Sequence, residues 1–442
     1  MFVNLQLIYI IITLKIILTF SLIFFVSSEL MSQTFWLKQP SPTTKNLKNV
    51  FFINSNTGWI SGDSGFIAKT TDSGLNWTIQ NTNVNNDIQA FYFINERLGW
   101  AVAWEVYPDS TSFLGTRILK TTDGGNIWIS YMYPEENRFM KTVYFIDSAK
   151  GFLAGAPISI FYTTDAGARW SAADTDTTLV LGFPIENLKF YDSLTGYACG
   201  GFRDLAGSMW VSTNGGLNWK ATVVGPEPLN DVYIFNETKA IATGGDFEYG
   251  SSTVKTSNQG LNWIYDTLGT FGVASSVDFR TANEGWITLG IAQKFTYTID
   301  TGNTWRSIYT PDSIPVFDVD FTDSVNGWAV GYSGYILKYN SGMVNVHNYS
   351  ETQIPEKIIL HQNYPNPFNP VTKINYELSS EEFVTLKVYD VTGKELTVLV
   401  NENQKSGRHT VDFSGVNFPS GVYYYKLLTD NSFQVKRMVL LK

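Results

Sequence analysis

The sequence predicts an all-β protein: a seven-bladed β-propeller closed by an N-terminal strand, followed by a small Ig-like β-sandwich. Three observations carry this expectation. The pattern Ser/Thr-x-Asp/Asn-x-Gly-x-x-Trp recurs six times, beginning at Thr70, Thr121, Thr163, Ser212, Thr256 and Thr298. From Trp36 through Trp305, successive tryptophans of this phase stand 41, 51, 42, 49, 44 and 42 residues apart, a period that accommodates about four short strands. Aromatic residues make up 15% of the chain against only 16% charged, a balance that favours strands and turns over helices.

In chain order, Phe2–Val26 is almost wholly apolar and leads into Ser27-Ser28-Glu29. Residues 1–28 read as a signal peptide, with Lys15 ending a long n-region, Ile16–Val26 as the apolar h-region, and Val26 and Ser28 in the two small-residue positions. The same run is long enough to span a bilayer, so an uncleaved anchor is the rival reading. The single cysteine, Cys199, excludes an intrachain disulfide and reads as a small apolar residue in a strand. All three histidines, His347, His361 and His409, follow the repeats, which excludes Ser-His-Asp chemistry and histidine metal sites from the repeat region. The net charge is -10 over residues 31–353 and +1 over 354–442. The repeats hold no basic run, which argues against nucleic acid.

Residues 33–343 form the repeat region. Each unit opens with an alternating segment: Asn49–Ile53, Gln89–Ile94, Thr142–Ile146, Asn187–Tyr191, Asp231–Phe235, Ser276–Phe279 and Phe317–Phe321. Period-two apolarity predicts a strand with two different faces. A turn containing glycine and a second strand opening with an aromatic follow, as at Gly58-Trp59, Gly99-Trp100, Gly151-Phe152, Gly196-Tyr197, Gly285-Trp286 and Gly327-Trp328; the fifth unit departs with Lys239-Ala240. A third strand then runs into the Ser/Thr-x-Asp/Asn-x-Gly turn, and the tryptophan opens a fourth.

The turn has a mechanism. Its Asp and Thr side chains can accept from backbone N–H groups in a tight hairpin, and its Gly can take a positive φ. The sets are Asp72, Gly74, Trp77; Asp123, Gly125, Trp128; Asp165, Gly167, Trp170; Asn214, Gly216, Trp219; Asn258, Gly260, Trp263; and Asp300, Gly302, Trp305. Asn214 and Asn258 keep the acceptor and lose the charge, so the pattern is structural and neither catalytic nor metal-binding. Seven leading segments but six complete turns leave the last unit, ending Leu337-Lys338-Tyr339, without its tryptophan. The segment Thr34–Lys38, with Trp36 in phase, is the candidate for the missing strand, and such closure removes exposed sheet edges.

These elements resemble the Asp-box, or bacterial neuraminidase, repeat. The fuller unit, as in Lys120–Trp128, is similar to the propellers of photosystem II stability and assembly factors. The resemblance implies a propeller fold over about 300 residues; function does not follow from fold.

In a four-stranded blade the Asp-box turns share a rim with the first-to-second turns, away from the second-to-third loops. Three insertions fall among those loops: Glu105–Arg117, Arg203–Ser208 and Asp246–Ser252. They carry Tyr107, Asp109, Arg117, Arg203, Asp204, Asp246, Glu248 and Tyr249, the candidate ligand rim. A sialidase would need an arginine cluster, a Tyr/Glu pair and an acid/base Asp; arginines are scarce, no Phe-Arg-Ile-Pro-like segment stands near the start, and Phe202-Arg203-Asp204 is a poor match for one. Two carboxylates facing a cleft leave no sequence motif, so a glycosidase stays an alternative.

Residues 344–357 read as a linker of Asn, Ser, Glu, Gln and Pro. In the domain at 358–442, Asn363–Pro370 is Pro-rich and extended, and six strand-like segments follow from Thr372 to Leu441. Asn363–Pro370, Val388-Tyr389-Asp390, Gly407-x-His409, Ser420–Tyr425 and Lys436–Lys442 resemble the C-terminal sorting domain of the type IX (Por) secretion system. The resemblance implies the type IX machinery as a partner and delivery to the cell surface or medium. His361 and His409 read as structural. The whole is expected to be a monomeric, cofactor-free, non-enzymatic propeller that binds a protein or glycan, with a carbohydrate-active enzyme and a photosystem-assembly role as alternatives.

Overall fold

The computed structural model describes residues 35–107, 113–178, 182–247, 249–342, 358–363, 366–391, 394–429 and 433–442. The signal-peptide segment, the linker, Asp109 and Glu248 lie outside these residues. The chain divides between residues 344 and 345 into two compact units. Among the described residues no α-helix occurs, and no helix is long and apolar enough to cross a membrane.

The first unit contains seven sheets, each led by one of the strands Leu47–Phe52, Ile88–Phe93, Phe139–Phe145, Ile185–Phe190, Leu229–Ile234, Ser276–Phe279 and Val316–Phe321. Each sheet is an antiparallel meander of four strands; the fourth sheet gains a short parallel fifth strand, Asp174–Thr175. The leading strand of each sheet lies against that of the next, and that of the seventh lies against that of the first. The seventh sheet takes its fourth strand from Trp36–Lys38, which pairs antiparallel with Ile336–Tyr339 so that Trp36 faces Tyr339. Trp36 is 1% exposed, stacks on Phe295 at 5.0 Å and meets Trp286 edge-on at 5.5 Å.

The seams between sheets explain the Gly-aromatic pairs. Trp59, Trp100 and Trp328 each stack face to face on the phenylalanine closing the next leading strand: Phe93 at 3.7 Å, Phe145 at 3.4 Å and Phe52 at 3.5 Å. The tryptophan of the Asp-box meets the same ring edge-on, as Trp128 does Phe93 at 5.8 Å. Such offset and edge-on packing adds to the burial of large rings. The glycine itself differs from the sequence expectation. It opens the second strand, as in Gly99–Val106, where the expectation put a turn. A Cβ on Gly99 would stand 2.4 Å from the Phe93 ring, so the glycine is required by ring clearance across the strand pair.

The second unit has two sheets. One orders Ile359–Leu360, Val371–Leu378 and Gly407–Ser414; the other orders Glu395–Gln404, Glu382–Tyr389, Gly421–Leu428 and Phe433–Leu440. Alternate side chains of both, among them Ile374, Tyr376, Leu386, Val388, Tyr425 and Met438, fill one buried core. His361 pairs with Glu377 at 3.1 Å, and the ring of His409 stacks on Tyr376 at 5.3 Å. Arg408 also reaches Glu377 at 2.7 Å. The His361 hydrogen bond first, then Arg408, against the opposing effect of burial, hold that carboxyl down to about 2.

Candidate functional site

The six Asp-box turns share one geometry. In the second sheet the Thr121 hydroxyl donates to Asp123 Oδ1 at 2.9 Å and accepts from Gly125 N–H at 2.8 Å. Asp123 Oδ1 also accepts from Ile127 N–H at 3.0 Å. Gly125 has φ 96°, a conformation open to glycine. Asp72 and Asp300 repeat this pattern with Asn76 and Thr304 as donors. Asp165 is drawn down to about 2, first by the Arg169 side chain and then by its N–H. Asn214 makes the same bonds from Ser212 and Asn218, and Asn258 from Thr256 and Asn262, without charge. Each turn rests on the first-to-second turn of its own sheet, as Ser73 N–H does on Asn56 C=O at 2.9 Å. Its carboxylate oxygens are thus committed to the fold.

The three insertions lie on second-to-third connections and extend the strands as hairpins. Gly99–Val106 pairs with Phe113–Thr121, Gly196–Phe202 with Ala206–Ser212, and Ala240–Asp246 with Gly250–Thr256. Tyr107 is 38% exposed and its hydroxyl donates to Glu136 at 3.3 Å. Arg117 sits within its strand, held by Glu105 at 2.5 Å. Arg203 and Asp204 are exposed at their hairpin tip, and Tyr249 is 53% exposed. Asp246 is instead 2% exposed, and its Oδ1 accepts from Tyr249 N–H at 2.7 Å, so it shapes the hairpin from within. Phe202, Leu205 and Phe247 are exposed on the same hairpins. Sequence reasoning passed over them, although a phenylalanine at a hairpin tip, where polar turn residues are usual, is a readable signal.

Sequence reasoning also missed the cavity of about 700 Å³ among the leading strands. In six of these strands the ladder slips by one residue near the start. The extra residues, Lys48, Gln89, Lys141, Glu186, Asn230 and Phe317, line the cavity. Period two then aims two further layers inward. One is Asn49, Ala90, Thr142, Asn187, Asp231, Ser276 and Asp318; the other is Phe51, Tyr92, Tyr144, Lys189, Tyr233, Asp278 and Asp320.

The inner layers are electrostatically organised. Lys189 pairs with Asp231 at 2.8 Å. Each aspartate also accepts from a backbone N–H of the next sheet: Asp231 from Val277 at 2.9 Å, Asp278 from Phe321 at 2.6 Å, Asp318 from Val50 at 2.8 Å and Asp320 from Phe52 at 2.7 Å. Burial pushes Asp278 up to about 7 and Asp318 up to about 6, against the pull of Lys189 and of these N–H groups. Among the described residues no group of three or more His, Cys, Asp or Glu is placed to hold a metal. Burial raises the Cys199 thiol well above its usual range, which leaves it a packing residue.

Residues 362–441 match the model of the secretion system C-terminal sorting domain, and residues 101–227 match that of the photosynthesis system II assembly factor YCF48. The photosystem II stability/assembly factor HCF136 of Oryza sativa subsp. japonica is 32% identical over 126 residues, covering 26% of this chain and 29% of the rice protein. The match thus spans less than a third of that relative. Among solved structures, YCF48 bound to D1 peptide superposes with TM-score 0.56 at 19% identity, over 70% of this chain and 98% of that one. A GH74 xyloglucanase from Xanthomonas campestris gives 0.54 at 13%, over 83% and 60%. The WD40 beta propeller domain of Doa1 gives 0.51 at 8%, over 70% and 98%. At these identities the likeness is one of fold, that of a propeller. The chain therefore combines a propeller fold, part of which, residues 101–227, matches the YCF48 assembly-factor model, with a secretion system C-terminal sorting domain at residues 362–441, which marks it for export to the cell surface or medium.

Proposed function

We propose that this is a non-enzymatic binding protein, delivered by its sorting domain, that recognises a protein segment or surface polymer on the face of the raised hairpins. In this reading the seven sheets are blades of one ring, closed by the strand at Trp36, and the C-terminal unit is an Ig-like sandwich. The observation that carries the binding reading is the set of exposed side chains on those hairpins: Tyr107, Arg203 and Tyr249, with Phe202 and Phe247 beside them. Exposed aromatics on a rigid scaffold suit recognition. A YCF48 propeller holding a D1 peptide supports a peptide-like ligand on this kind of scaffold. Export separates the chain from any photosystem, so the assembly-factor likeness is taken as one of scaffold.

The second reading is a carbohydrate-active enzyme, and Asp278 is the observation that favours it. A carboxyl raised to about 7 inside a cavity has the proton affinity of a general acid. Its commitment to Phe321 N–H and Phe279 N–H weighs toward a structural role. Glycan-array and peptide-array binding, run beside a polysaccharide hydrolysis screen, separates the two readings. Binding without turnover is expected; turnover abolished by Asp278→Asn overturns the binding reading.

A further inference from the structure

The cavity among the leading strands has two unlike walls. Phe51, Tyr92 and Tyr144 come from the first three leading strands and line it. Tyr92 lies 5.3 Å from Phe51 and 4.6 Å from Tyr144, ring centre to ring centre. All three are only partly buried, so their rings border open space. Asp231, Asp278, Asp318 and Asp320 come from the fifth, sixth and seventh leading strands and line the same cavity. The seventh leading strand lies against the first, which sets the acidic arc beside the aromatic one.

The acidic arc is short of positive charge. Lys189, the cation between the two arcs, pairs with Asp231 at 2.8 Å. Among the described residues Asp278, Asp318 and Asp320 have no ion pair; they accept from main-chain N–H groups and, for Asp318, from Ser276. The two lysines at the mouth are already paired with other carboxylates. Lys48 reaches Asp63 at 3.0 Å and Asp87 at 2.6 Å, and Lys141 reaches Glu186 at 2.5 Å. Burial first, with the charge of Asp231 added, keeps Asp278 up at about 7, the response of a carboxyl enclosed without enough counter-charge.

The mouth opens at the start of the leading strands, the end where the second-to-third hairpins also stand. Ile88 pairs with Ala103, and the next residue, Trp104, lines the cavity. Trp104 is steered there by its indole N–H, which donates to Met140 C=O at 2.8 Å, and by Phe113 and Phe139, which meet its ring edge-on. The volume of about 700 Å³ falls in the range of small-ligand pockets. Aromatic faces attract a cation most strongly where water is excluded, and carboxylates supply its neutralisation. A bare metal ion would leave the rings unused, and among the described residues no carboxylate group is placed to hold one. A cation with an apolar stem uses both walls.

We propose that this cavity binds an organic cation, the alkylammonium group of a polyamine or of a lysine side chain, between the rings of Tyr92 and Tyr144 and the carboxylates of Asp278, Asp318 and Asp320. The ammonium supplies the missing charge, and its alkyl stem lies toward Trp104 and Phe317 at the mouth. The site stands or falls independently of what the hairpin tips bind.

The test is calorimetric titration of the purified full chain, at physiological salt, with spermidine and separately with the capped peptide acetyl-Gly-Lys-Gly-amide; triethylene glycol serves as an uncharged chain. Melting temperature is followed alongside. A single saturable site for at least one of the two cations is expected, with a rise in melting temperature and no response to the glycol. Binding of spermidine alone assigns the site to a free polyamine, and binding of the peptide assigns it to a side chain. Asp278→Asn combined with Asp320→Asn is expected to weaken binding at least about tenfold. Phe317→Lys, at the mouth, tethers a competing ammonium over the cavity and is expected to weaken binding to a similar extent, which keeps the test decisive if the double variant misfolds. Absence of binding by both cations overturns the proposal. So does binding that is undiminished in a folded variant, because the cation then sits elsewhere on the acidic surface. No hairpin ligand enters the titration, so its outcome and that of the hairpin reading are told apart.

Discussion

The indole N–H of Trp328 donates to the main-chain carbonyl of Ser73 at 3.0 Å. The first residue belongs to the seventh sheet and the second to the Asp-box turn of the first. Trp59 reaches Gly124 C=O at 3.3 Å and Trp100 reaches Ala166 C=O at 3.2 Å in the same way. These three Asp-box turns thus fold their own side chains inward and present a carbonyl to the neighbouring sheet. The seventh unit has no such turn. Trp286 instead donates to Glu284 at 3.0 Å, which also accepts from Tyr339 and is paired with Arg280.

Trp36 stands where the missing tryptophan of the seventh unit would be. Trp36→Ala is expected to destabilise the first unit by about 3–5 kcal/mol, the cost of emptying a buried aromatic site. Deletion of Gln33–Gln39 is expected to do more, since it also removes the strand paired with Ile336–Tyr339. Chemical denaturation measures both; an unchanged midpoint contradicts closure by this strand.

Gly99 faces the Phe93 ring across its strand pair. Gly99→Ala is expected to cost about 1–3 kcal/mol through overpacking. Gly421→Ala, where nothing lies within 4 Å of the added carbon, is expected to be near neutral. Thermal melting of the two variants side by side tests whether ring clearance dictates the Gly-aromatic pairs.

Asp123 acts as a hydrogen-bond acceptor, the role Asn214 and Asn258 fill without charge. Asp123→Asn is expected to leave stability within about 0.5 kcal/mol, while Asp123→Ala loses about 1 kcal/mol or more. Equal losses in both variants would show that charge matters at this turn.

The aspartates among the leading strands set a pH dependence. Asp278, raised to about 7, and Asp318, raised to about 6, hold protons more tightly folded than unfolded. Their contribution therefore favours the folded state at low pH and declines as pH rises from about 4 toward 7. Asp165, held down to about 2, acts in the opposite sense but only below about pH 4. Melting is expected a few degrees higher at pH 5 than at pH 8, at about 2–4 °C per kcal/mol for a domain of this size. Asp278→Asn is expected to narrow that difference, measured by calorimetry in the two buffers.

The repeats were legible because local rules dictate them. The Thr121–Asp123–Gly125 turn closes on its own side chains, so spacing alone exposed it. The leading strands showed their alternation for the same reason. The cavity was hidden because it depends on assembly. Asp231, Asp278 and Asp318 sit at ordinary alternating positions, and only the juxtaposition of seven strands brings them together with Lys189. Asp246 misled in the opposite way: an acidic residue in an insertion suggests solvent, but the hairpin turns it inward onto Tyr249 N–H. The Gly-aromatic pairs were seen but their glycine was placed in the preceding turn, because the ring that Gly99 must clear, Phe93, is held by stacking on Trp59 of the unit before, a contact that spans two units.

The binding face decides the functional account most directly. The wild-type chain and a Tyr107→Ala/Arg203→Ala/Tyr249→Ala variant are compared for binding to an isolated cell-surface fraction of the source cells, with melting temperature measured alongside. The three side chains are solvent-facing, so melting is expected to be unchanged while affinity falls by about tenfold or more, as for truncation of aromatic and arginine contacts. Undiminished binding by a folded variant contradicts the assignment of the hairpin face.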